Sequence, residues 1–272
     1  MSQPQVHILC AADSAFLRHV PVMLASVRAN TDAPLKASVV SIDWRPQDQD
    51  MLRAALPDIE MDFLSITGDL LGGLPFKAML SPLTYARILM PDLVESDRFL
   101  YLDVDMIMRD DIAQLWSTDL GSSPAAAVFH NEGTQLNAGL MLVNAQMWRD
   151  RKLGATILDW ARENQPKEAD QTSIEAVISS EMLRLDPRWN RLVDPVWGKP
   201  QLEQANYLEG AANLHFITGF KPWNLGRLLL PRAYTREWQR YVKKTGLQVD
   251  WKSEARTLIW QVSILIKRLI RK

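Results

Sequence analysis

Short apolar runs alternate with helix-spaced segments along most of the chain. Val6-His7-Ile8-Leu9-Cys10 predicts a buried strand, and Val20 to Arg28 predicts a helix, with Pro21 suited to its first turn. The pair recurs: Ser38 to Ile42 is β-rich, Gln47 to Leu56 has helical spacing, and Met61 to Ile66 is apolar again. A Gly/Pro-containing loop from Thr67 to Pro75 precedes a predicted helix over Leu83 to Met90. Phe99-Leu100-Tyr101-Leu102 then reads as a strand that stops abruptly in acids. Beyond it, Ala125 to Phe129 and Leu140 to Val143 read as strands, and Ala145 to Asn164 and Ala169 to Ser180 as helices. Strands alternating with helices imply an α/β fold whose mainly parallel central sheet is covered on both faces. No internal repeat or low-complexity segment breaks the pattern.

The pattern changes near Trp223 to Arg232, which divides the chain into a domain of residues 1–232 and a tail of residues 233–272. Arg236 to Lys272 holds ten Lys/Arg against three Asp/Glu, a balance of +7, so the net charge of -1 hides an acidic body and a basic tail. In the tail, Leu258, Ile259, Val262, Leu265, Ile266, Leu269 and Ile270 share one helical arc, and Arg256, Gln261, Lys267, Arg268, Arg271 and Lys272 the other. A basic amphipathic helix can lie in the interface of an anionic membrane; the alternative is a terminal helix docked on the protein's own core. Trp251 and Trp260 suit either.

The 272 residues, 47% hydrophobic and 23% charged, suffice for one sizeable core and exclude a disordered or fibrous chain. Near-neutral overall charge supplies no field for nucleic acid, which is excluded as the main partner. The single cysteine, Cys10, sits in an apolar run as a small buried hydrophobe, consistent with a reducing, cytoplasmic setting. The N-terminus lacks the basic and apolar regions of a secretory signal, and no stretch approaches the roughly 18 apolar residues of a spanning helix.

Ligands of open parallel sheets bind beyond the carboxyl ends of the strands, which is where Asp103-Val104-Asp105 falls. Two carboxylates one residue apart at a strand end can ligate a hard divalent cation. Asp48-Gln49-Asp50 has the same spacing but sits in a polar helical stretch, so it reads as a solvated face. Two other readings of Asp103 and Asp105 stay open on this motif: a solvated strand-end turn, and the nucleophile and acid of a haloacid-dehalogenase-type phosphatase. That phosphatase motif usually opens its domain, whereas here three strand-helix signals precede it. Further along, His215-Phe216-Ile217-Thr218-Gly219-Phe220-Lys221-Pro222-Trp223 brings an imidazole that is either structural or able to complete a metal site, and a lysine able to hold a phosphate as a point charge.

Taken in order, these segments resemble glycosyltransferase family 8, the retaining sugar-nucleotide transferases that include bacterial lipopolysaccharide galactosyl- and glucosyltransferases and glycogenin. Ala11-Ala12-Asp13 looks like the family's nucleoside-binding turn, with Phe16 placed to pack on the base, and Thr84-Tyr85-Ala86-Arg87 like its Tyr-Ala-Arg helix, whose arginine reaches the donor. Leu100 to Asp105 resembles the metal motif, Asn137-Ala138-Gly139 the segment beside the donor sugar, Asp170-Gln171 the Asp-Gln pair, and His215 with Lys221-Pro222-Trp223 the closing motif. The match spans about Val6 to Trp223. In one departure, the glycine that commonly follows the histidine by three residues is Thr218 here, with Gly219 after it. In another, only His130 to Gln135 separates the Phe129 strand from the Leu136 region, less than members with a longer acceptor loop have.

Residue by residue, plain alternatives stand beside the match. Ala11-Ala12-Asp13 could be an ordinary strand-to-helix turn, Arg87 could pair with a surface acid, Asn137-Ala138-Gly139 could be a tight turn, and Asp170 could cap the helix beginning near Gln171.

The resemblance implies a single Rossmann-like nucleotide-sugar-binding domain of the glycosyltransferase A type and a UDP-sugar donor. It further implies Mn2+ (or Mg2+) on Asp103, Asp105 and His215. Val104 and Gly219 would join the donor contacts, Lys221 would neutralise the leaving diphosphate, Gln171 would orient the reacting face, and Asp170 would position donor hydroxyls. A glycan or lipid-linked saccharide is the implied acceptor, reached from the inner face of the cytoplasmic membrane. A non-catalytic nucleotide-sugar-binding protein is the non-enzymatic alternative.

Overall fold

The computed structural model describes residues 4–75, 81–193, 209–217, 219, 221–224, 230 and 232–246. The expected amphipathic helix over Leu258 to Ile270 and the position of Thr218 lie outside the described residues.

The chain opens as β1 (Val6–Ala11), α1 (Val20–Arg28), β2 (Leu35–Ser41), α2 (Pro46–Ala55) and β3 (Glu60–Ser65). It continues with α3 (Ala86–Leu93), β4 (Arg98–Leu102), β5 (Met106–Met108), α4 (Ile112–Trp116), β6 (Ala125–His130) and β7 (Gln135–Asn144). Then follow α5 (Ala145–Asp150), α6 (Leu153–Asn164), α7 (Ala169–Ile178), β8 (Leu183–Arg184), β9 (Arg191–Leu192), β10 (Asn213–His215) and α8 (Arg232–Thr245). The main sheet runs β3-β2-β1-β4-β7-β6-β8, and a small sheet runs β5-β10-β9. Parallel pairs predominate; β7 runs antiparallel to both its neighbours, β4 and β6.

Strand alternation sorts side chains to the two faces. Ile8, Cys10, Leu100 and Leu102 enter the core shared with α1 and α8, whereas Leu9, Phe99 and Tyr101 enter the core under α3, α5, α6 and α7. Both faces are covered, which accounts for continuous apolar strands. Burial raises the Cys10 thiol to about 12 and leaves it an inert core group.

Helix α1 is buried from Val20 to Val27, with α8 packed on it through Tyr234, Trp238 and Tyr241. Tyr234, Trp238 and Tyr241 therefore carry the core past residue 232, the boundary expected from the change of pattern near Trp223 to Arg232. The exposed positions of α8 include Arg236, Arg240, Lys243 and Lys244.

Other differences are local. The helical segment from Ala145 is two helices, because Lys152 takes a left-handed φ of 53° between α5 and α6. Strand β7 starts at Gln135, so Asn137-Ala138-Gly139 is extended backbone rather than a tight turn. Asp48 is not a solvated acid: it is 4% exposed and closes a capping box at the start of α2 with Arg45, accepting from the Arg45 backbone and guanidinium. Asp50 of the same pair does stay exposed.

Candidate active site

Between β1 and β4 the strand order reverses: β2 and β3 extend to one side of β1, and β4 joins on the other. Parallel strands at such a switch point leave a crevice at their carboxyl ends. There, Ala11-Ala12-Asp13 and Asp103 meet along a cavity of about 1450 Å³, above the usual range for a site that takes one drug-sized ligand.

The acidic turn bridges the two sheets. Asp103 follows β4, and Asp105 immediately precedes β5, whose Met106 pairs with His215 on β10. That register and the Phe216 N–H donating to the Asp105 carbonyl (3.0 Å) bring the imidazole onto the carboxylates. His215 Nε2 lies 3.5 Å from Asp103 Oδ2 and 3.2 Å from Asp105 Oδ1. Among the described residues this is the one group of three ligand-bearing side chains close enough to share an ion, their donor atoms all within 4.8 Å of one another. Asp105 Oδ1 is buried and accepts no hydrogen bond, and two carboxylates with an imidazole form a mixed O/N donor set. These residues fit a divalent metal.

Gly139 makes the cluster possible. A Cβ on it would collide with His215 Cε1 and sit 2.8 Å from Asp103 Oδ2. The Asp103 N–H donates to the Gly139 carbonyl (2.8 Å), tying the acidic turn to β7.

Charge is concentrated around the turn. Arg87, 8% exposed, bridges Asp103 Oδ1 (3.0 Å) and Asp170 Oδ2 (2.9 Å) and donates to the Ala138 carbonyl (2.6 Å). The Tyr101 hydroxyl donates to Asp103 Oδ1 (2.7 Å). Burial acts against the Arg87 cation, but Asp103 and Asp170 outweigh it and raise its pKa. Lys221 Nζ donates to Asp105 Oδ2 (2.5 Å) and to the Phe216 carbonyl. Burial raises Asp105, yet Lys221 and His215 hold it well below the usual carboxylate range; burial lowers His215, yet Asp105 and Asp103 raise it.

Asp170 sits in the first turn of α7 without capping it, since its carboxylate accepts from Thr84 (2.5 Å) and pairs with Arg87. Burial raises its pKa against the pull of Arg87. Gln171 Oε1 accepts from the Ala138 N–H (3.3 Å) and shares the cavity wall with Asn137 and Gly139. Asp13 Oδ1 accepts from the N–H groups of Ala15 (3.1 Å) and Phe16 (3.3 Å), shaping the turn that presents the half-exposed Phe16 ring. Phe16, Val104, Gly219 and Lys221 all line the cavity. Ala138 does not: its side chain is buried, and its peptide holds Gln171 and Arg87 instead.

Three contributors carried no sequence signal of their own. His19, at the entry to α1, stacks on Trp223, and burial lowers its pKa to about 3. His130 ends β6 on the cavity wall with its Nε2 buried and without a hydrogen-bond partner. Asn190 precedes β9 and faces His215. An isolated Asn or His has no periodicity to mark it, and only the pairing of β9 with β10 brings Asn190 to the site.

Residues 7–225 match the model of glycosyl transferase family 8. General stress protein A of Bacillus subtilis is 25% identical over 80% of this chain and 87% of its own length. Glycosyltransferase GlyE of Streptococcus pneumoniae is 24% identical over 81% of this chain, which spans only 58% of that longer protein. Among solved structures, the galactosyltransferase LgtC in complex with donor and acceptor sugar analogues superposes with a TM-score of 0.75 at 21% identity, covering 92% of this chain and all of LgtC. WbbM, a bifunctional glycosyltransferase, superposes with a TM-score of 0.68 at 16% identity over 92% of this chain and 51% of its own. At these identities the structures speak to the fold alone.

Proposed function

The chain belongs to glycosyltransferase family 8, and from that premise we propose that it is a metal-dependent, retaining hexosyltransferase that moves galactose or glucose from a UDP-sugar to a glycan or lipid-linked saccharide in bacterial lipopolysaccharide or surface-glycan assembly. The observation that carries the reading is the cluster of Asp103, Asp105, His215 and Lys221 at the sheet's switch point, on the wall of a cavity that also holds Asp13, Phe16 and Gln171. The phosphatase alternative falls with the family assignment; besides, Asp103 Oδ1 is engaged by Tyr101 and Arg87 and so poorly suited to attack.

When bound, Mn2+ (or Mg2+) on Asp103, Asp105 and His215 supplies Lewis-acid stabilisation of the departing diphosphate. Lys221 adds a positive charge where negative charge grows in the transition state. Arg87 holds Asp103 and Asp170 in register, and Asp13 with Phe16 forms the wall for the nucleoside. Retention by double displacement needs a nucleophile under the sugar. Asp170 is committed to Thr84 and Arg87, and Gln171 carries an amide. Their engagement supports front-face attack, in which a phosphate oxygen takes the acceptor proton.

The cationic face of α8 and the basic residues after it support docking on an anionic membrane at its cytoplasmic face. Among the described residues no helix is long and apolar enough to cross a membrane.

A panel of UDP-sugars with Mn2+, scored for UDP release with and without lipid-linked acceptors, tests the reaction. Turnover of UDP-galactose or UDP-glucose that rises with acceptor supports it, and silence across the panel with metal present refutes it. Calorimetry of UDP-sugar binding with and without EDTA tests the metal: equal affinity in both refutes that assignment.

A further inference from the structure

Behind the metal-facing side of His215 runs a chain of three hydrogen bonds. The Gly139 N–H donates to Asn137 Oδ1 (3.0 Å), Asn190 Nδ2 donates to the same oxygen (2.8 Å), and His215 Nδ1 faces Asn190 Oδ1 (2.9 Å). Asn190 is fully buried, and the imidazole is 3% exposed.

The direction of this chain is not free. A backbone N–H can only donate, so the Asn137 atom facing Gly139 must be its oxygen. Turning the Asn190 amide over would then set two acceptor oxygens 2.8 Å apart, a buried repulsion with no compensating bond. The Asn190 oxygen therefore faces the ring, and the ring nitrogen opposite it must carry a hydrogen.

We propose that Asn137 and Asn190 are positioning residues that keep the proton of His215 on Nδ1, so that the lone pair of Nε2 is presented between Asp103 and Asp105. The relay rests on the metal reading for its purpose, but the placement of the proton does not. Gly139 serves it twice, through its N–H as the fixed donor and through its missing Cβ, which leaves room for the ring beside β7. Without the relay the ring can place its proton on Nε2, donate to Asp105 and close the ligand position. Partners of this kind, behind a metal-bound imidazole, commonly change metal affinity by about 10- to 100-fold.

The chain has four histidines, so long-range 15N NMR of the full-length, metal-free protein, assigned against His215→Gln, reads the ring directly. Across a titration from slightly acid to slightly alkaline pH, Nδ1 of His215 should stay protonated while only Nε2 changes, and Zn2+ or Mg2+ should shift Nε2. Asn190→Leu should mix the tautomers and raise the Mn2+ dissociation constant, read by electron paramagnetic resonance, by about 10- to 100-fold. Asn137→Asp, which still accepts from both donors, should keep the Nδ1 proton and bind Mn2+ within about threefold of wild type, whereas Asn137→Leu should not; this pair reads the relay should Asn190→Leu fail to fold. Wild-type protein with the proton on Nε2 alone, or an Asn190→Leu protein with unchanged tautomer and Mn2+ affinity, overturns the proposal. A protonated Nδ1 in a protein that binds no Mn2+ supports the proton placement and overturns only the metal assignment.

Discussion

The rings of His19 and Trp223 stack with centroids 4.0 Å apart and planes 21° from parallel. His19 leads into α1, and Trp223 follows the strand that carries His215, so the stack pins the closing segment to the start of the chain. Trp223 also leans on Trp238 of α8 at 4.6 Å. Trp223→Ala should cost about 2 kcal/mol in urea unfolding and raise the donor KM several-fold, with Trp223→Phe recovering most of both. An alanine variant unchanged in both measurements would deny the stack its holding role.

Three carboxylate variants separate chemistry from scaffold. Asp105→Asn should lower turnover by at least about 100-fold while far-ultraviolet circular dichroism shows the fold intact, because its carboxylate faces the cavity and pairs with Lys221 and His215 and packs no apolar core. Asp48→Asn should leave turnover near wild type but lose about 1 kcal/mol as the capping box weakens. Asp50→Asn, on the exposed face, should change neither. Equal loss of turnover in Asp105→Asn and Asp50→Asn would remove Asp105 from the mechanism.

Gly139→Ala should fold with the imidazole displaced, because the added methyl collides with His215 Cε1. Mn2+ affinity should fall by at least about tenfold, measured by calorimetry, while far-ultraviolet circular dichroism stays as in wild type. Unchanged affinity would mean that β7 gives way instead of the ring.

His7 couples stability to pH. Burial, then Lys36, lowers its pKa to about 4, and its two ring nitrogens meet Ser96 and Ser38, each at 2.8 Å. Because the unfolded histidine takes a proton near pH 6.5 and the folded one resists it, stability is complete above about pH 6.5 and falls as pH drops toward 4. Across that window the wild type should lose about 3 kcal/mol more than His7→Gln, measured by urea unfolding at both ends. Parallel losses in the two proteins would place the acid sensitivity elsewhere.

Truncation tests the tail. A chain ended before Leu258 retains α8 and every proposed catalytic residue, so it should fold and hydrolyse UDP-sugar slowly. It should bind anionic liposomes more weakly than the full chain, and salt should weaken binding by the full chain, since exposed charges are screened over roughly 10 Å at 0.1 M. Undiminished liposome binding by the truncated protein would leave α8 itself, or another surface, as the contact. Unfolding of the truncated protein would assign the terminal apolar residues to the core.

Much of the fold could be read from periodicity, because strands buried on both faces leave unbroken apolar runs such as Phe99 to Leu102. What periodicity missed was decided by contacts far apart in sequence. Lys152 looks like any helix-forming residue, yet its left-handed backbone splits a helix. Asp48 looks solvated in a polar segment until Arg45 folds back over it. At the site, motif order brought Asp103, Asp105 and His215 forward as one set, and these three the structure brings together. Asn190 and His130 stayed hidden, since a single polar residue announces nothing until a strand pairing carries it to the cavity wall, as with His130, or behind a site residue, as with Asn190.

Finally, the contact of α8 with α1 has a consequence for biosynthesis. Helix α1 ends at Arg28 and its covering partner begins at Arg232, so the ribosome adds about 200 residues between them, which takes about 10–40 s. Until then the nascent chain exposes the oily flank of α1 that Tyr234, Trp238 and Tyr241 later cover. Strands β1 to β4 can pair early, but the layer that α8 lays over α1 is synthesised much later, and a chain released before Arg232 would be prone to clump.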